Sequence, residues 1–165
     1  MARQHPQNCY IHGMDNAAIT FGTPENKKAL EENPVFAPKF DADGLIPAVA
    51  MDAETKEPLM LAYMNAQSLK QTLAIGEAVY YSRSRQEIWH KGATSGHVQV
   101  VKEIRTDCDQ DAVILYVEQL GAGACHTGRG SCFYRVVDLE KGTNPTALSF
   151  NEEGLTFDPD SVYKK

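Results

Sequence analysis

The sequence has no long apolar run, no excess of basic residues and only four cysteines, and these absences exclude several classes of protein. The longest apolar stretches, 59–64 and 112–117, are far shorter than the ~20 residues that cross a bilayer. The first residues contain no apolar signal-peptide core, so we expect a cytoplasmic protein without membrane contact. The 16 Lys and Arg residues against 22 Asp and Glu residues give a charge of −6, which argues against a nucleic-acid partner.

The remaining composition is that of a globular domain, with 42% hydrophobic and 23% charged residues over 165 positions. Residues 1–39 are broken by four prolines and are interpreted as an N-terminal extension. The pattern of apolar residues tightens from Phe40, and residues 40–137 are predicted to form the main domain. Residues 138–165 are polar, contain glycine and proline, and are interpreted as a C-terminal extension made of loop and short irregular elements.

Alternating and β-branched segments predict a strand-rich α+β domain with a mixed sheet and one clear helix. That helix spans 66–75, with Asn65 as its N-cap and Gly76 at its end. A second, short helix is predicted over 24–31, with Thr23 as its cap. The predicted strands cover 44–51, 59–63, 78–82, 88–90, 98–105, 112–118 and 133–137.

Three cysteines, Cys108, Cys125 and Cys132, raise the question of a metal site. Disulfides are unexpected in a reducing compartment, and the spacing does not match the paired Cys-x-x-Cys of zinc ribbons. Two interpretations stay open, namely burial as small apolar side chains or a three-thiolate zinc site. Such a site would leave one position for water, and its net negative charge would make a nearby base useful. His126 is the candidate base, and a structural histidine is the alternative.

An acidic cluster surrounds the first of these cysteines, with Asp107, Asp109 and Asp111 at alternate positions. A straight strand would hold successive carboxylates ~6.6 Å apart, so the segment must curl or use bridging waters to bind one ion. Magnesium suits this arrangement, and a solvated acidic turn is the alternative. The segment from Asp107 to Glu118 also approaches the EF-hand calcium loop, but Ala112 stands where the turn requires glycine.

Basic and hydroxyl side chains are concentrated in the middle of the chain, after a predicted strand. Their charges and hydroxyl groups could hold a phosphorylated ligand, although the segment does not match the nucleotide P-loop. A surface hairpin with solvated charges is the alternative. The candidate ligand-binding residues are Arg83, Arg85, Lys91, Thr94 and Ser95.

Taken together, these segments resemble the phosphoribosyl-AMP cyclohydrolases of histidine biosynthesis. The resemblance runs from about Phe40 to Val137. It is carried by five blocks in order, which are PLMLAYMN (58–65), YYSRSR (80–85), WHKGATSGH (89–97), DCDQD (107–111) and ACHTGRGSCF (124–133).

The resemblance implies hydrolytic opening of the purine ring of N1-(5-phosphoribosyl)-AMP at the N1–C6 bond, which gives the formimino imidazole carboxamide ribonucleotide. It further implies a homodimer in which both subunits contribute to each active site. Zinc, one per subunit, would be held by Cys108, Cys125 and Cys132, and magnesium by Asp107, Asp109 and Asp111. His126 would act as the general base, and Arg83, Arg85, Lys91, Thr94 and Ser95 would bind the substrate.

Two alternatives stay beside this hypothesis. A zinc nucleobase or nucleotide deaminase would share the attack of an activated water on a ring carbon, but the sequence lacks its H-x-E and P-C-x-x-C motifs. A non-catalytic module stabilised by calcium or by structural zinc is the other. The 28 residues after Val137 cannot supply the helices of the pyrophosphohydrolase domain that is fused to some relatives, so we expect a monofunctional enzyme.

Overall fold

A computed structural model of the chain describes residues 18–137, 139, 148–151 and 154–163. Strands outnumber helices among the described residues, because several apolar segments are rich in the β-branched and aromatic residues that favour strands. In chain order they are α1 (Lys27–Glu32), β1 (Leu45–Asp52), β2 (Pro58–Asn65), α2 (Ala66–Ile75), β3 (Val79–Ser82), β4 (Glu87–His90), β5 (Gln99–Thr106), β6 (Val113–Gln119), β7 (Arg135–Val137), β8 (Leu148–Phe150) and α3 (Pro159–Val162).

Six of the strands form one mixed sheet in the order β4-β3-β2-β1-β6-β5. All neighbouring pairs are antiparallel except β1 and β6, which run parallel from the pair Ala48–Val113 to the pair Asp52–Val117. The remaining two strands, β7 and β8, form a separate antiparallel pair. The prediction of a strand-rich α+β domain with a mixed sheet is therefore confirmed.

The core lies along the parallel strands β1 and β6, which bury alternate side chains. Ile46, Ala48 and Ala50 of β1 and Val113, Leu115 and Val117 of β6 are fully or almost fully buried. Leu69 of α2 completes this cluster. Burial of these apolar surfaces supplies the main driving force for folding and fixes the ends of β2 and β6, which carry the site described below.

The long helix begins and ends where the sequence predicts. The Asn65 side chain accepts a hydrogen bond from Ser68 N at 2.8 Å, and the Ser68 hydroxyl in turn accepts one from Asn65 N at 3.0 Å. Gly76 ends the helix with a φ of 70°, a conformation that favours glycine because it lacks a Cβ atom.

Three local expectations differ from the structure. The first helix starts at Lys27 rather than at residue 24, because the side chain of Asn26, not Thr23, accepts the capping hydrogen bond from Ala29 N. The last predicted strand is shortened to β7, and it pairs with β8 in a region that was expected to be irregular. The EF-hand alternative is excluded because β6 occupies the second half of the would-be calcium loop as a buried strand.

The described part of the N-terminal extension lies against the main domain. The rings of Phe21 and Phe36 pack edge to face, 5.8 Å apart, and both contact the buried core. The division into extensions and a central domain stays a prediction. Across the residues with an assigned structure, we find no helix with the length and hydropathy that a bilayer crossing requires.

Candidate active site

A short loop after β6 brings two of the cysteines together. Cys125 N donates to Arg129 O at 3.1 Å, and Gly128 N donates back to Cys125 O at 3.2 Å, so the chain reverses within four residues. Gly128 has a φ of 81°, which this reversal requires. Cys132 is then fixed beside the sheet by a 2.8 Å hydrogen bond from its N to Leu59 O at the start of β2.

The side chains of Cys125 and Cys132 are neighbours in the folded chain. Burial raises the pKa of the Cys132 thiol to about 12, and the neighbouring Cys125 adds to this effect because a second thiolate would repel the first. Two neighbouring cysteine sulfurs match the ligand chemistry of zinc, whose double positive charge favours the thiolate form of its ligands. The pair fits half of a tetrahedral zinc site.

Lys91 lies beside the same pair, and only 3% of its surface is exposed. Burial lowers the pKa of its ammonium group, while the charges of Cys132 and Cys125 oppose that effect. Its Nζ donates to His97 O at 3.3 Å, a contact that fixes the side chain toward the interior. The sequence placed Lys91 among the substrate-binding residues, and the structure adds that it is the cation next to the thiols.

A cavity of about 360 Å³ opens beside the thiol pair. Its wall combines cations, aromatic rings and apolar side chains, which is the mixture expected of a site for a heterocyclic, anionic ligand. The lining residues are Met60, Leu61, Arg85, Trp89, Lys91, Ala124, His126, Cys132 and Tyr163.

A second groove continues from this cavity along the sheet and shares Leu61, Arg85 and Trp89 with it. Arg83 lines the groove, and its guanidinium lies over the ring of Tyr63 at 3.8 Å. The two basic side chains of the YYSRSR block therefore face one continuous depression. Thr94 and Ser95 belong to the turn after β4 and are not among the lining residues, and the Ser95 hydroxyl accepts a hydrogen bond from His97 N.

His126 follows Cys125 directly and is exposed at the mouth of the cavity. Among the residues that the structure describes, it does not form a cluster of three metal-ligating groups with Cys125 and Cys132. This arrangement suits a group that exchanges protons with a ligand in the cavity better than it suits a third metal ligand on the same chain.

The three carboxylates of the acidic cluster converge in the turn between β5 and β6. One oxygen from each of Asp107, Asp109 and Asp111 lies within 4.8 Å of the others, so the segment curls as a shared ion requires. Gln110 makes this curl with a φ of 58°. The charge of Asp109 is the main cause that raises the pKa of Asp111, and a bound cation would relieve that repulsion.

Cys108 lies in this same turn, exposed and apart from the other two cysteines. The turn precedes β6, whereas Cys125 follows its other end, and seven strand residues span ~23 Å. Consistent with this separation, Cys108, Cys125 and Cys132 do not form a cluster of three metal-ligating groups within the described part of one chain. The predicted three-thiolate site requires that Cys108 come from another copy of the chain.

Gln110 anchors the acidic turn to the N-terminal extension, which sequence reasoning missed. Its side-chain oxygen accepts from Ala37 N at 2.8 Å, and its amide donates to Leu30 O and Val35 O at 3.0 Å. Its own carbonyl accepts from Lys39 N at 2.7 Å. No local pattern predicts contacts that join residues more than 70 positions apart.

We expect Gln110→Ala to lower the free energy of unfolding by about 1–3 kcal/mol, because it leaves the buried Ala37 N and two partly buried carbonyl oxygens without their hydrogen-bond partner. Chemical denaturation at a fixed protein concentration measures this loss. Gln67→Ala, on the exposed face of α2, is the matched control and should change stability by about 0.5 kcal/mol or less. Equal stability of the two variants would show that the anchor is unimportant.

His90 and His97, the two histidines of the WHKGATSGH block, lie in separate environments. His90 Nε2 is 2.7 Å from Glu77 Oε2, so it belongs to an ion pair or hydrogen bond at the sheet edge. His97 is buried, and its Nδ1 has no hydrogen-bond partner among the described residues. Burial, together with the nearby charge of Lys91, lowers the pKa of His97, which is therefore neutral at pH 7.

Comparison with known proteins identifies similar sequences along most of the chain. Residues 60–134 match the sequence profile of the family described as phosphoribosyl-AMP cyclohydrolase. A relative named phosphoribosyl-AMP cyclohydrolase from Rhodopseudomonas palustris is 49% identical over 152 residues, 92% of this chain and 100% of the relative. Relatives of the same name from Bradyrhizobium diazoefficiens and Agrobacterium fabrum are 56% and 55% identical, covering 82% and 85% of this chain and 95% and 93% of their own lengths.

Proposed function

The chain belongs to the phosphoribosyl-AMP cyclohydrolase family, and on that premise we propose that it hydrolyses N1-(5-phosphoribosyl)-AMP with a zinc ion. The reaction opens the six-membered ring of the purine at the N1–C6 bond. The product is the formimino imidazole carboxamide ribonucleotide, and the step is the third of histidine biosynthesis. The observation that carries the zinc proposal is the pair of adjacent thiols, Cys125 and Cys132, at the edge of a cavity lined by cations and aromatic rings.

In our proposal the active sites form between two copies of the chain. Cys125 and Cys132 of one subunit hold zinc together with Cys108 of the partner subunit. This assignment is supported by the separation of Cys108 from the other two sulfurs within one chain. When bound, zinc lowers the pKa of a water molecule and so prepares it for addition at neutral pH.

The side chains around the cavity supply the proton transfers and the charge balance. An imidazole nitrogen of His126 takes a proton from the attacking water, whose oxygen then bonds to C6. As the N1–C6 bond breaks, the proton of the added hydroxyl group passes to N1, and C6 becomes the carbon of a carboxamide. Lys91, buried beside the thiols, offsets part of the negative charge that three thiolates bring to the site.

Magnesium is proposed at the carboxylates of Asp107, Asp109 and Asp111. Their oxygens already converge within 4.8 Å, and oxygen ligands suit this ion. Cys108 lies between the first two of these residues in the chain, so placing it on the partner's thiol pair carries the carboxylates to the same site. The magnesium ion would there be near the substrate phosphates.

Substrate binding is proposed along the cavity and the groove that continues from it. Arg83 and Arg85 face this depression and can form charge-assisted hydrogen bonds with phosphate groups. Lys91 lies at the inner end, near the reacting ring, and Thr94 and Ser95 are placed in the neighbouring turn. We further propose that the enzyme is a cytoplasmic homodimer whose ligand is this nucleotide and not a nucleic acid or a membrane.

Purified protein incubated with phosphoribosyl-AMP tests the proposal directly. Absorbance should report formation of the ring-opened product, and a zinc chelator should abolish that change until zinc is restored. A protein that turns over the substrate equally well after its metal content has been shown to be zero would contradict the zinc proposal.

We expect His126→Ala to lower kcat by about 10²–10⁴-fold, since it removes the general base, while zinc stays bound. Metal analysis beside steady-state kinetics separates the two effects. His90→Gln, which keeps a polar partner for Glu77 outside the cavity lining, is the control and should retain zinc and most of the activity. Loss of zinc from His126→Ala would instead make His126 a metal ligand.

A further inference from the structure

The C-terminal segment 154–163 returns to the loop that carries the cysteines. Thr156 donates twice to Gly128 O, from its backbone N at 2.7 Å and from its hydroxyl at 3.1 Å. The approach is so close that a Cβ atom on Gly128 would lie 2.4 Å from Phe157 O. Glycine at this position therefore serves both the reversal of the cysteine loop and the docking of this segment.

The next residue of the segment is fixed by an aromatic contact. The Phe157 ring packs edge to face on the imidazole of His97, with their centroids 4.7 Å apart. His97 in turn accepts the hydrogen bond from the Lys91 ammonium group through its backbone oxygen. The segment is thus packed against the residue that holds the buried cation of the active site.

The chain then makes the short helix α3, which directs Tyr163 into the cavity wall. The Asp158 carboxylate caps this helix by accepting from Asp160 N at 3.1 Å, and Tyr163 N donates to Pro159 O at 2.8 Å. Tyr163 lines the same cavity as Cys132 and remains 36% exposed. Its ring is therefore available to a ligand.

We propose that Tyr163 is a substrate-binding residue that receives the purine ring, and that residues 154–163 are part of the active-site wall. This inference rests on the proposed function. The N1-ribosylated purine is cationic, and a tyrosine ring attracts a cation through the negative face of its π system. Trp89 contributes a second ring to the same cavity, so the base can lie between aromatic groups while C6 stays near the thiol pair.

This role makes Tyr163 a determinant of substrate affinity rather than of chemistry. Thr156 and Phe157 are positioning residues, because they hold the segment without lining the cavity. The sequence block that identifies the family ends at residue 134, so the family profile gives no indication of this contribution. Only the packing of the segment on Gly128 and His97 reveals it.

The test compares Tyr163→Leu, Tyr163→Phe and Tyr116→Leu in steady-state kinetics with phosphoribosyl-AMP and in zinc analysis of each full-length protein. Tyr163→Leu should raise KM about five- to tenfold with kcat changed less than about twofold and zinc content unchanged. Tyr163→Phe keeps the ring and should restore a KM close to that of the wild type. Tyr116→Leu, at a ring that contacts Lys56 and Arg105 outside the cavity lining, is the matched control.

A Tyr163→Leu enzyme with the KM of the wild type would overturn the inference, and so would an equal rise of KM in Tyr116→Leu. A fall in kcat without a change in KM would also overturn it, because the ring would then act on the chemical step. Each of these results leaves the proposed function intact as long as the wild-type protein turns over the substrate. Absence of turnover by zinc-loaded wild-type protein would instead refute the proposed function itself.

Discussion

Replacing Cys132 by serine should remove zinc from the protein and lower turnover by more than ~100-fold. Loss of residues that only support a metal ligand already costs about 10–100-fold, and Cys132 is proposed as a ligand itself. A serine hydroxyl is a poor substitute because it does not ionise near neutral pH and lacks the soft sulfur that zinc prefers. Cys125→Ser should have the same effect, since the two thiols lie side by side.

The control for this result is Cys9→Ser, because Cys9 lies outside the proposed ligand set and outside the described residues. It should retain zinc and full activity. Zinc content is measured on each purified protein by mass spectrometry, and turnover by product absorbance. A fully active Cys132→Ser protein that contains no zinc would contradict the assignment of this thiol pair as the metal site.

The local parts of the fold follow from the sequence because their causes are local. Both ends of the helix α2 are set by the residues next to them, because Asn65 caps its N-terminus and Gly76 ends it. The strands β1 and β6 are visible because each is a short apolar run, alternating in β1 and rich in β-branched residues in β6. In both cases the signal lies within about ten residues, which is the distance over which periodicity is informative.

The sequence does not show which segments far apart in the chain contact each other in the fold. The parallel contact between β1 and β6 and the anchoring of the acidic turn by Gln110 join residues that are 60 or more positions apart. The first helix shows a smaller failure, because Thr23 and Asn26 are both residues that favour the N-cap position and the structure uses Asn26.

In the candidate site, too, the features with local causes are predictable from the sequence and those that depend on long-range contacts are not. Gly128 between Cys125 and Cys132 indicates that the chain can turn back and bring the sulfurs together, and the structure shows that it does. The burial of Lys91 and the position of Tyr163 in the cavity wall depend on tertiary contacts. Neither can be predicted from the spacing of residues in the sequence. The separation of Cys108 from the other two sulfurs also depends on the tertiary structure. It is the basis of our proposal that one subunit supplies Cys125 and Cys132 and the partner subunit supplies Cys108.

The second large effect is expected from mixing two inactive variants. Cys108→Ser and Cys125→Ser homodimers should each be inactive, because every site in each of them lacks one ligand. A heterodimer of these two variants contains two different sites. One site carries both substitutions, and the other has all three cysteines. Random exchange of subunits at equal concentration makes half of the dimers mixed, so about a quarter of the sites should be intact.

Turnover of this mixture measures the central claim of a zinc site shared between two chains. After subunit exchange, we predict that activity and bound zinc rise together toward about one quarter of the wild-type values. A mixture of Cys125→Ser and Cys132→Ser, whose changes always fall in the same site-forming loop, should stay inactive and serves as the control. If the first mixture also stays inactive although mass spectrometry shows that heterodimers have formed, the three sulfurs do not meet across subunits and the proposed site is wrong.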